Sequence, residues 1–97
     1  MSKRTRNASL RKLCEVNNAL SPDILTAITV AESQMEAWRT AVIFEEATGE
    51  DLPFNLDEWE RSVRPPVELY FVFRRKRDRG RFVRTISREY PEKEVIT

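Results

Sequence analysis

The chain has no histidine, one cysteine and two glycines among its 97 residues. The lack of histidine removes the commonest general base and metal ligand. A lone Cys14 cannot close an internal disulfide, and no metal-ligand spacing surrounds it, so a reducing, intracellular compartment is the simplest home. Read on a helix, Cys14 serves as a small buried apolar side chain. Gly49 and Gly80 lie too far apart to form a phosphate-cradling loop, and no nucleophile-elbow spacing occurs. No apolar run is long enough to span a bilayer, and the basic start, Met1 to Arg6, leads into no signal-like apolar segment. These absences argue against an enzyme and against any bound cofactor or metal.

What is present is a soluble composition, with 40% hydrophobic and 34% charged residues, in a length that fits one domain over 1–97. Residues 1–6 and 92–97 read as flexible tails. Ser21 to Gly49 reads as one long helix. Ser21 stands at the N-cap, Pro22 at the first helical position and Asp23 at the positive end of the dipole. Leu20 and Leu25 have hydrophobic-staple spacing. Thr48-Gly49 supplies a left-handed stop. Ile24, Ile28, Ala31, Met35, Trp38 and Val42 recur at steps of four and three, a heptad-like seam. Such a rod would be about 40 Å long, against a radius of gyration near 13 Å for a domain of about 100 residues. Its overhang points to a homodimer, with Ile28, Met35, Trp38 and Val42 at the interface.

A short helix is expected from about Ala8 to Asn17. Another starts at Asn55, where Asn55 and Glu58 have capping-box spacing and Phe54 and Trp59 staple spacing. It should end near Val63, because Pro65-Pro66 cannot continue it. From Val67 the period changes to two: Val67, Leu69, Phe71 and Phe73 share a face, as in a half-buried strand. A second strand is expected from about Arg81 to Tyr90, joined through the turn at Arg75 to Gly80 as a hairpin. Neither face of that strand stands out as the buried one, and the Val95-Ile96 pair has no evident use. The expected fold is therefore α+β: short helix, long helix, short helix, then a C-terminal antiparallel hairpin.

A net charge of +1 conceals three blocks. Residues 1–12 carry five basic side chains and no acid, residues 13–73 three against twelve, and residues 74–97 nine against four. The densest cluster is Arg74, Arg75, Lys76, Arg77, Arg79, Arg81 and Arg84, interrupted by one acid, Asp78. Crowded like charges favour a neutralising partner, and guanidinium forks suit phosphates. On a hairpin tip these residues would contact DNA or RNA as a β-ribbon does, with Lys3, Arg4 and Arg6 as a flexible basic arm. Tyr70, Phe82 or Tyr90 could stack on an exposed base. In a eukaryotic chain the same cluster could be a nuclear signal.

Two other readings compete. The arginines could belong to a solvated turn paired with Glu32, Glu36, Glu45 and Glu46. The acidic, Trp-bearing helical surface could make the chain a protein-interaction module, a small inhibitor or adaptor. Asp51, Asp57, Glu58 and Glu60 fit capping and a solvent face better than a Mg²⁺ or acid–base site. The leading expectation is a non-enzymatic nucleic-acid-binding or regulatory protein.

Overall fold

The computed structural model describes residues 25–97. The expected short helix at 8–17, Cys14, and the Ser21 cap lie outside the described residues. Five elements follow in order: β1 (Leu25–Ala31), α1 (Gln34–Thr48), α2 (Leu56–Ser62), β2 (Val67–Phe73) and α3 (Lys76–Glu89). The class is α+β. The described residues fill 30 × 30 × 27 Å, so no 40 Å rod is present.

The long helix is the first correction. Within that stretch Leu25–Ala31 is strand β1, and Glu32-Ser33 separates it from α1. Thr26, Ile28, Thr29 and Val30 are β-branched; they lose χ1 freedom in a helix and pack well on a pleated sheet. Ser33 then starts a helix of its own. Its backbone is extended (φ −147°, ψ 164°), and its hydroxyl accepts from Glu36 N–H at 3.1 Å. Glu36 Oε1 accepts in turn from Glu32 N–H at 2.6 Å. Gly49 ends α1 as expected, at φ 75°, with its N–H donating to Glu45 O at 2.8 Å.

α2 follows the sequence closely. Asn55 accepts from Glu58 N–H at 3.0 Å, and Phe54 and Trp59 meet at 6.0 Å between ring centroids. Val63 closes the helix before the cis Pro65-Pro66 bond. Gln34 Nε2 donates to Val63 O at 2.8 Å, fastening the end of α2 to the start of α1.

β2 lies where alternation placed it, with Val67, Leu69, Phe71 and Phe73 all buried. Its partner is not a following strand but β1, antiparallel, in the register Leu25↔Phe73, Ile28↔Tyr70, Ala31↔Val67. The expected C-terminal hairpin is therefore a second correction: the segment assigned to turn and strand is α3. Phe82, Ile86 and Tyr90 recur every four residues, an even step that also keeps side chains near one face of a helix, so spacing alone did not separate the two periods. Packing does. Phe82 and Ile86 are completely buried, and Phe82 stands 5.0 and 5.4 Å from Phe71 and Phe73 between ring centroids. Phe44 of α1 completes this aromatic core at 4.9 Å from Phe71.

The C-terminal residues run along the edge of β1 that faces away from β2. Ile28 N–H donates to Ile96 O at 2.9 Å, and Ile96 N–H to Ile28 O at 2.8 Å. Thr29 Oγ1 donates to Glu94 O at 2.9 Å. The Val95-Ile96 pair thus has a use: Val95 packs against the core while Ile96 supplies the bridge.

Candidate nucleic-acid interface

Folding 76–89 as a helix rearranges the basic cluster. At about 100° per residue, Arg77, Arg81, Arg84 and Arg88 fall within about 60° of one another around the axis. All four are exposed. They lie roughly opposite Asp78, Phe82 and Ile86, the buried face of α3. Seen along the axis, the stripe extends about 16 Å. Arg74, Arg75 and Lys76 are also exposed and surround the start of the helix. The residues expected on a hairpin tip therefore lie on one helical face and at its entrance.

Arg79 is the exception. It is half-buried, and its Nη1 donates to Thr26 O at 3.3 Å, tying α3 to the outer edge of β1. Arg88 did not enter the sequence-based set, because in a strand it stands apart from the turn. Its 4-3-4 spacing from Arg77, Arg81 and Arg84 was the available signal.

The electrostatics leave this face unneutralised. Among the described residues, Arg74, Arg75, Lys76, Arg81, Arg84 and Arg88 form no ion pair with a carboxylate, and Arg77 reaches Asp78 only at 4.0 Å. The acidic helix residues are engaged elsewhere or stand apart. Glu36 pairs with Lys93, and Glu45 accepts from Leu52 N–H at 2.7 Å. Arg75 at the N-cap offers no side-chain hydrogen bond to the first turn. Asp78, buried in that turn, is its one acidic complement to the positive dipole end. Four consecutive cations beside that same end favour a bound anion.

At the other end of α3, Arg39 Nε and Nη2 donate to the two carboxylate oxygens of Glu89 at 2.9 and 2.6 Å. That hydrogen bonding holds the Glu89 carboxyl below its ordinary pKa and raises Arg39 above its own. The acid at the end of α3 is thereby satisfied from α1, not by Arg88. Tyr90, next in the chain, is raised first by burial and then by the charges of Glu36 and Glu89.

The expected dimer seam is not one stripe. Ile28 belongs to β1, while Met35, Trp38 and Val42 belong to α1. Met35 is 64% exposed; the other three are half-buried. Lys3, Arg4 and Arg6 lie outside the described residues.

A second feature flanks the C-terminal residues: a cleft of about 590 Å³ with Ile28 and Val30 in its lining and Glu32, Glu36, Glu68, Glu92 and Glu94 around it. Lys93 is part of its lining, with a side chain that is largely buried. Its ammonium pairs with Glu36, donates to Val30 O at 2.6 Å and lies 5.3 Å from the centre of the Tyr90 ring. Among the described residues no group of carboxylates and cysteine is arranged to hold a metal ion. No described helix is long and apolar enough to cross a membrane. Comparisons with protein-family models, with characterised protein sequences and with solved structures give no significant match to the chain.

Proposed function

We propose that the chain is a non-enzymatic nucleic-acid-binding protein whose contact surface is the arginine face of α3. Arg74, Arg75 and Lys76 extend that surface at the helix entrance, and the basic residues Lys3, Arg4 and Arg6 add to the attraction. The supporting observation is the alignment of Arg77, Arg81, Arg84 and Arg88 on one exposed face, where among the described residues Arg81, Arg84 and Arg88 have no carboxylate partner and Arg77 reaches Asp78 only at 4.0 Å. Guanidinium groups in that state keep their forks available for phosphate oxygens.

Four phosphate contacts would release about four counterions. Raising salt from about 50 to about 200 mM should then weaken binding about a hundredfold. The test is a variant with all four arginines changed to glutamine, titrated against labelled DNA and RNA. Because all four side chains are exposed, its circular dichroism should match the parent while its affinity falls. Equal affinity in parent and variant would remove the proposal.

The acidic cleft supports a second reading, a protein-interaction module that receives a cationic segment of another protein. Glutamates around an apolar lining suit a lysine or arginine side chain, stem and charge together. Recovery of one stoichiometric protein partner, resistant to nuclease and high salt, would favour this reading over the first.

A further inference from the structure

Resting on the nucleic-acid reading of α3, we infer that the ligand of its arginine face is double-helical DNA, held by its phosphates with the helix in or along the major groove.

The first reason is shape. α3 is one unbroken helix of 14 residues, about 21 Å long. Its attachment to the domain runs through Asp78, Phe82 and Ile86. The opposite arc, from Lys76 past Ser87, Gly80, Arg84, Arg77 and Arg88 to Arg81, is covered by no other described element; each of its residues is exposed or half-exposed. The B-form major groove, about 12 Å wide, admits one α-helix. The A-form major groove of duplex RNA is too narrow and deep for side chains to enter. Gly80 and Ser87, the two smallest residues of α3, sit on that arc and let the backbone approach closely.

The second reason is what the arc omits. Proteins that hold single strands rely on aromatic platforms for the unstacked bases. The one aromatic ring of α3 is Phe82, and it is completely buried in the core. Tyr90, at the C-cap, is half-buried with Lys93 over its ring. The arc also has no asparagine or glutamine, the residues that recognise adenine edges. Cations without stacking or amide groups match the dense phosphates of a duplex, which carries one charge per about 1.7 Å of axis against one per about 3.4 Å for a single strand.

The test is a salt-titrated anisotropy series on the full chain. The probes are a mixed-sequence 20-base-pair DNA duplex, one of its single strands, the equivalent RNA duplex, and heparin. The expected result is at least tenfold tighter binding to duplex DNA than to the single strand or the RNA duplex. Arg81→Gln/Arg84→Gln should make the log-affinity against log-salt slope on duplex DNA shallower by about two. Equal or tighter binding to the single strand or to the RNA duplex overturns the inference and leaves the nucleic-acid reading standing. An unchanged slope in the double variant overturns the assignment of the contact to α3. Binding to heparin alone, or to none of the four, overturns both.

Discussion

Arg39 and Glu89, fifty residues apart in sequence, meet through two parallel hydrogen bonds of 2.9 and 2.6 Å that join α1 to the last turn of α3. This pair sets the end of α3 against α1 and turns the Glu89 carboxylate to Arg39, so that Arg88 acts on it through charge alone.

Its pH dependence has a definite sign. The Glu89 carboxyl is lowered in the folded state, so its contribution is present above the unfolded carboxyl value and lost as pH falls through the folded one. The raised Arg39 value affects stability only at extreme alkaline pH. Both side chains are about a third exposed (32% and 33%), which limits the gain. A bidentate surface pair of this kind contributes about 0.5–1 kcal/mol. Glu89→Gln should therefore lower Tm by a few degrees at pH 7, and parent and variant should converge once the pH has fallen below the lowered folded-state value of the carboxyl. Thermal melts across that range decide it.

Ser33→Ala tests the break in the expected rod by its sign. In an uninterrupted helix, alanine would be the better residue and the variant would be more stable. With Ser33 as the N-cap of α1, the same change removes a partner of the first turn and costs about 1 kcal/mol. Urea unfolding of the two proteins separates the outcomes.

Gly80→Ala should stabilise. Gly80 lies inside α3, and an added Cβ would meet nothing closer than the mobile guanidinium of Arg84 at 3.4 Å. Alanine replaces glycine in a helix interior with a gain of about 0.5–1 kcal/mol. A lower Tm for this variant would show that 76–89 is not helical at that position.

Lys93→Ala should be the costliest of these changes. The Lys93 side chain is 7% exposed and that of Glu36 15%, so truncation leaves a largely buried carboxylate with, among the described residues, only the Glu32 N–H for a partner. The expected loss is about 3 kcal/mol. Adding Glu36→Ala should recover part of it. Amide exchange at Ile28 and Ile96, whose mutual bonds close the edge of β1, should accelerate in the single variant.

Local signals located α2 and β2. The Asn55 cap, the Phe54–Trp59 staple and the Pro65-Pro66 stop act within a few residues, and the alternation from Val67 to Phe73 is unambiguous. The Ser33–Glu36 cap spacing was equally readable, but the continuous 4-3 seam running through it masked the boundary. For the candidate site, the charged residues were legible and their arrangement was not. Seven cations between Arg74 and Arg84 concentrate positive charge there in any backbone conformation. Whether they crown a turn or line a face depends on where Phe82 and Ile86 find their burial.

Composition and local patterning therefore determined the α+β class, the position of one strand, the caps at Asn55 and Gly49, and the concentration of positive charge near the C-terminus. These follow from forces that act between near neighbours along the chain. Tertiary structure decided the rest. Leu25–Ala31 became a strand because β2 offered it a ladder. Lys76–Glu89 became a helix as Phe82 was buried against Phe44, Phe71 and Phe73 and Ile86 joined the same core. In both segments the period was compatible with more than one backbone, and contacts between residues distant in sequence selected between them.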